Sequence, residues 1–204
     1  MRNQDNLPPH TPNAGDRIYA AGCTGSAWLL VSGSIRLDRI ESNGERAFAG
    51  LAIKGDVLGA ETLLLGHYAF TATALTPCEL RPWPGAAVTP EPRSLLKALA
   101  DAERRGADAI ALRCGEAATR VGRLIRILAN SLANQTITRR ALPALTEMAD
   151  ITALTVGTVS RTLSIMQAEG TLAAHDSRRG RPPSSRGRNK TPNFAALRES
   201  QPRA

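Results

Sequence analysis

The sequence predicts an α+β chain: a small antiparallel barrel or jelly roll of short strands, a long helix, then a helix–turn–helix. Three observations predict it. Glycine punctuates short apolar segments over roughly the first 80 residues, apolar spacing turns helical beyond Pro92, and residues 145–163 read as helix, tight turn, helix. The chain has 204 residues, 42% of them hydrophobic, which suffices for a packed core. No apolar run reaches the ~18 residues of a membrane helix, and Met1–Asp5 lacks the hydrophobic stretch of a signal peptide. The expected location is cytoplasmic, with no membrane partner.

Residues 1–15, with Pro8, Pro9 and Pro12, read as a loose lead-in. Strands are expected at Arg17–Ala21 and Ala27–Ile40. In the latter, Leu29, Val31, Ile35 and Leu37 alternate with Ser32, Ser34, Arg36 and Asp38, the period of a half-buried strand, and Gly33 interrupts it. Ser42-Asn43-Gly44 is a hairpin turn, because Asn and Gly tolerate positive φ. Phe48–Ile53, Phe70–Leu75 and Glu79–Trp83 complete a meander of roughly 70 residues.

From Ser94 to about Arg113 no proline occurs, and Leu95, Leu99, Ala102, Gly106 and Ala109 fall at four–three spacing. So slight a seam lets two backbones approach closely, as a dimer requires, although simple core packing explains it equally. Ala118, Val121, Ile125, Leu128 and Leu132 form a second stripe, with Arg120, Arg123 and Arg126 off it.

Residues 145–163 carry the most specific pattern. Ala149 supplies the small residue a crossing helix needs, Ala153 holds the turn position often taken by glycine, and Thr155 is an N-cap. Met148, Ile151, Leu154, Val159, Leu163 and Met166 point inward. On the opposite face Gly157, Ser160, Arg161 and Ser164 follow i, i+3, i+4, i+7 and share one stripe. Near a helix N-terminus such a stripe suits the DNA major groove, where Arg pairs bidentately with guanine and Ser reaches a base edge or phosphate. The plain alternative is a solvated face on a helical hairpin.

Net charge is +8, but residues 176–204 hold eight basic side chains against Asp176 and Glu199, a net +6, leaving about +2 for the rest. The tail, rich in Arg, Gly, Ser and Pro, cannot bury a core. Cys23, Cys78 and Cys114 are too few and too scattered for a disulfide framework or a C-x-x-C metal site. His10, His67 and His175 form no H-x-H pair, and no phosphate loop, nucleophile elbow or H-E-x-x-H occurs, so no metal site or enzyme chemistry is expected.

Leu154-Thr155-Val156-Gly157-Thr158-Val159-Ser160-Arg161-Thr162-Leu163 resembles the recognition helix of the CRP/FNR superfamily, closest to its FNR/FixK-like branch, whose pattern is L-T-x-E-T-[VI]-S-R-x-L. Gly33–Leu37, Gly55–Gly59 and Gly66–Leu75 resemble successive segments of that family's β-roll effector domain, so the resemblance spans about residues 15–172. It implies a cyclic-nucleotide-binding-like β-roll (16–93), a dimerisation helix (94–116) and a winged-helix-like DNA-binding domain with an atypical wing (117–175), beyond which the composition gives a basic tail (176–204). The function it implies is a homodimeric transcription factor on near-palindromic double-stranded DNA, working with RNA polymerase, its recognition helix at about 156–167. Base contacts fall to Ser160, Arg161, Gly157 and Ser164, and backbone contacts to Thr155, Thr158, Arg178 and Arg179.

Two departures stand out. Gly157 replaces the family's glutamate, which accepts from a cytosine amino group, so specificity is expected to be relaxed. Ser177–Lys190 does not read as the family's two-stranded wing, so a basic tail is expected to supply backbone attraction. The family's cyclic-nucleotide cassette carries an arginine, whereas Gly59 to Phe70 has none, which disfavours cAMP. An iron–sulfur cluster is disfavoured because the lead-in lacks a cysteine cluster. Haem is left open by His67 and Cys78, and no cofactor is identified. The rival readings are a decayed member that dimerises without binding DNA and a cupin-like small-molecule binder.

Overall fold

The computed structural model describes residues 9–84, 90–131, 142–170 and 172. Seven strands, β1 (Arg17–Tyr19), β2 (Ala27–Ser32), β3 (Ser34–Ile40), β4 (Arg46–Ile53), β5 (Val57–Leu58), β6 (Thr71–Ala74) and β7 (Glu79–Trp83), make two antiparallel sheets. One runs β1-β6-β3-β4 and the other β5-β2-β7. Between them lies a core of Leu30, Ile35, Leu37, Leu58, Ala72 and Leu80, with Tyr19 stacked on Tyr68 at 3.8 Å. The helix α1 (Thr62–Leu65) interrupts the strands, and α2 (Pro92–Ala111), α3 (Ala117–Ser131), α4 (Leu145–Thr152) and α5 (Val156–Ala168) follow. The expected strands hold to within a few residues at each boundary, while β5 and α1 are elements that the sequence reading did not expect.

Gly33 separates β2 from β3 because a side chain cannot fit there. Its φ is +92°, and a Cβ would lie 2.6 Å from the Cys78 sulfur. Gly44 closes the β3–β4 hairpin at φ +82°, its amide bonding the Glu41 carbonyl while Asn43 accepts from the Glu45 amide.

Strand β3 differs from the half-buried expectation. Ser34, Arg36 and Asp38 are as buried as Ile35 and Leu37, because Arg36 meets Glu147 and Asp150 of α4, Asp38 lies between Arg36 and Arg46, and Ser34 lies against Thr76. In β2 the buried residues are Ala27 and Leu30, with Leu29 and Val31 only partly covered. A bulge explains the apolar face that receives the helices. The register shifts so that Leu37 pairs with Gly50 but Asp38 with Phe48. Phe48 and Leu51, at an odd separation, therefore both join a second core with Leu112, Val121, Leu124, Leu128, Met148, Ile151, Val159 and Leu163.

The second stripe is also adjusted. Val121, Ile125 and Leu128 are buried as expected, Leu124 and Ile127 join them, Ala118 is exposed, and Leu132 lies outside the described residues. Along α2, Leu95, Leu99, Ala102 and Gly106 are exposed, while Ala109 turns toward the second core and Ile110 takes the outward place.

Candidate nucleic-acid interface

The site begins with a tight turn. Helix α4 ends at Ala153, whose φ of +51° is left-handed and whose amide bonds back to the Asp150 carbonyl. Thr155 then caps α5. Its side chain accepts the Thr158 amide at 3.1 Å, and the two hydroxyls lie 2.9 Å apart. Met148, Ala149 and Ile151 of α4 and Val159 and Leu163 of α5 are buried together, and Leu154 and Met166 pack at the margin.

This packing fixes which face of α5 is outward. Gly157, Arg161 and Ser164 are exposed and Ser160 is half-exposed, so all four members of the stripe lie on the open side. Arg161 makes no hydrogen bond or ion pair with any described residue. The Ser164 hydroxyl donates to the Ser160 carbonyl at 3.0 Å. At Gly157 a Cβ would meet nothing nearer than the Thr155 hydroxyl at 3.9 Å, so a side chain fits. Arg178, Arg179 and the wing lie outside the described residues, as does the basic tail.

Two arginines that the periodicity placed merely off the apolar stripe, Arg120 and Arg123, and a third, Arg113, tie successive helices together. Arg120 donates to the carbonyls of Thr152 and Ala153 at 3.2 and 3.4 Å, satisfying the end of α4 where the helix dipole is negative. Arg123 donates to the Ala111 carbonyl at the end of α2. Arg113 donates to the Asp150 carbonyl at 3.1 Å, its guanidinium 5.4 Å from the centre of the Phe48 ring. The sequence showed only that Arg120 and Arg123 lie off the apolar stripe, and the targets of the three lie 12 to 37 residues away.

A further ion-pair network, not legible beforehand, joins the two cores. Arg36 is 4% exposed and Asp38 fully buried. The Arg36 Nε donates to Asp38 at 2.7 Å and Nη1 to Glu147 at 2.7 Å, while Nη2 pairs with Asp150. Arg46 approaches Asp38 from the other side, its Nε 3.1 Å from the carboxylate. All three donor nitrogens of Arg36 are thus used, two of them on the first helix of the helix–turn–helix.

The effector-type features lie elsewhere in the roll. The α1 segment, with Glu61 accepting the Ala69 amide at 3.2 Å, occupies the place of the cassette read from the sequence. His67 is exposed and its Nδ1 sits 2.9 Å from the Leu65 carbonyl. Cys78 is buried with its sulfur 3.0 Å from the Thr76 carbonyl, and burial raises its thiol pKa. Among the described residues no group of three His, Cys, Asp or Glu side chains is placed to hold a metal, and no helix is long and apolar enough to cross a membrane.

A β-roll followed by a long helix and a helix–turn–helix is the architecture of a transcription regulator, and comparisons with known proteins agree. Residues 11–89 match the family model of the cyclic nucleotide-binding domain. The nitrogen fixation regulation protein FixK of Azorhizobium caulinodans is 31% identical over 166 residues, covering 76% of this chain and 66% of its own length. A CRP-family transcriptional regulator from Thermus thermophilus superposes with a TM-score of 0.62 at 22% identity, over 80% of this chain and 86% of its own. FixK2 from Bradyrhizobium japonicum gives 0.61 at 22% identity, over 80% and 85%. The chain belongs to the CRP/FNR superfamily of transcriptional regulators.

Proposed function

We propose that this regulator binds double-stranded DNA sequence-specifically as a homodimer, with α5 in the major groove. The supporting observation is the outward stripe of Gly157, Ser160, Arg161 and Ser164 on a capped helix whose opposite face is buried. Ser160 and Arg161 read bases, with Gly157 and Ser164 against the same groove. Thr155 and Thr158, at the first turn, lie beside phosphates, where a helix N-terminus favours negative charge. Arg178 and Arg179, and the basic tail they belong to, add backbone attraction.

The dimer forms along α2 through Leu95, Leu99, Ala102 and Gly106, whose exposed row supports the pairing. In this reading 16–93 is the effector-type roll, 94–116 the dimer helix, 117–175 the DNA-binding domain and 176–204 the tail. The protein acts in the cytoplasm on near-palindromic sites together with RNA polymerase.

Genome-wide binding at base resolution, followed by titration of the recovered site, tests the proposal. Arg161→Ala is expected to cost ~1–3 kcal/mol on the preferred site and much less on random DNA. Gly157→Glu, which the open space permits, is expected to sharpen discrimination. Equal losses on both DNAs would reduce Arg161 to a phosphate contact. Failure to recover any motif would remove sequence-specific binding.

A further inference from the structure

On the outer face of the four-stranded sheet, beside the edge that the helices leave bare, lies a cleft of about 460 Å³. That volume lies within the range of small-molecule sites, ~300–1,000 Å³. Its walls include Arg17, Arg46, Thr71, Thr73 and Ile40, over a floor of glycine and alanine. No carboxylate lines it.

The strand register explains the convergence. Arg17 of β1 pairs with Thr73 of β6, which pairs in turn with Arg36 of β3, while Thr71 pairs with Asp38 and Arg46 with Ile40. A register shift between Arg17 and Tyr19 sends Arg17 to the outer face while Tyr19 enters the roll.

The polar groups lining this cleft are donors in want of acceptors. Arg17 is exposed and makes no hydrogen bond or ion pair with any described residue. Arg46 spends its Nε and Nη2 on Asp38, leaving Nη1 free. Thr71 accepts the Ala21 amide at 3.1 Å, which leaves its own O–H to give. Thr73 has no side-chain partner among the described residues. Two guanidiniums and two hydroxyls suit a compact oxyanion, with Asp38, the carboxylate that Arg46 holds, fully buried and outside the lining, since charge-assisted bonds to planar guanidinium forks are the strong ones.

We propose that this cleft binds a small oxyanion, a phosphate- or carboxylate-bearing metabolite, and that the helix–turn–helix senses its occupancy. The link is the chain of charges already described. Arg46 and Arg36 share the buried Asp38, and among the described residues Arg36 is the side chain of the sheet that pairs with Glu147 and Asp150 of α4. An anion on Arg46 draws that cation from Asp38, and Asp38 then competes harder for Arg36. The hold on α4 loosens. The site is independent of the reading of α5 as a DNA reader, and its test uses no DNA.

Calorimetric titration of the full chain with inorganic pyrophosphate and with citrate, at fixed low ionic strength, tests the site. One bound anion per chain is expected. Pyrophosphate binding more tightly assigns a phosphoryl ligand, and citrate binding more tightly a carboxylate one. Arg17→Ala, at an exposed position, is expected to weaken binding about tenfold, the loss of one charge-assisted contact. Arg93→Ala, on the exposed start of α2, serves as the charge control and should change nothing. No binding of either anion, or equal weakening in the two variants, overturns the site. Hydrogen exchange at residues 145–152 is expected to quicken on saturation; unchanged or slower exchange overturns the link to α4.

Discussion

Replacing Arg36 with leucine probes the junction between the roll and the helix–turn–helix most directly. The side chain is 4% exposed and meets three carboxylates of very different surroundings. Glu147 and Asp150 are 38% and 54% exposed, so solvent screens their pairs, and each contributes ~0.2–1 kcal/mol. Asp38 is fully buried, and removing one partner of a buried pair costs ~3–5 kcal/mol because a desolvated charge is left behind. Arg46 remains beside Asp38, which places the expected loss at the lower end, about 3 kcal/mol. The assay is urea unfolding of the full chain followed by circular dichroism. Glu147→Gln and Asp150→Asn should each cost less than about 1 kcal/mol. A combined Arg36→Leu, Asp38→Leu variant should recover much of the loss, since the stranded carboxylate has gone. A loss below about 1 kcal/mol for Arg36→Leu, or one no larger than that of Glu147→Gln, would refute the assignment of the cost to Asp38.

Three further outcomes are expected. Ala153→Gly should raise the unfolding free energy by ~1 kcal/mol in the same assay, because a left-handed φ of +51° penalises a Cβ; a neutral or negative change would show that packing holds the turn. In thiol labelling under native conditions, exposed Cys23 and Cys114 should react quickly, and Cys78 only after unfolding, since burial both shields it and raises its pKa. Burial also raises the pKa values of Tyr19 and Tyr68, so their contribution to stability is full below the ordinary phenol value of ~10. It declines as pH rises through that value, because the unfolded chain ionises first. Tyr19→Phe should flatten this alkaline decline relative to the unaltered chain, and an identical slope would exclude Tyr19 as a source.

Local chemistry made much of the architecture readable. Glycine spacing marked the turns, Asn43-Gly44 marked the hairpin, and the 3.6-residue period with the Thr155 cap placed α4 and α5 and their inward faces. These features are short-range: φ/ψ preference, capping and amphipathic period act within about one or two turns. The outward stripe on α5 followed from the same arithmetic, once Val159 and Leu163 were assigned inward.

What sequence periodicity missed depends on partners distant in the chain. A strand reading as half-buried is buried on both faces over residues 34–38, because α4 meets Arg36 and Arg46 pairs with Asp38 on its outer side. Arg36 and Asp38 looked like solvent-facing residues for that reason, yet they carry the contact between the roll and α4, across a separation of 111 residues for Glu147. Phe48 and Leu51 share a face only through the bulge in β4. The sequence alone determined most of the elements, their order and the outward face of α5, because each is set by neighbouring residues. Tertiary structure decided the charge network and the donor-lined cleft, because long-range burial and strand register bring those groups together.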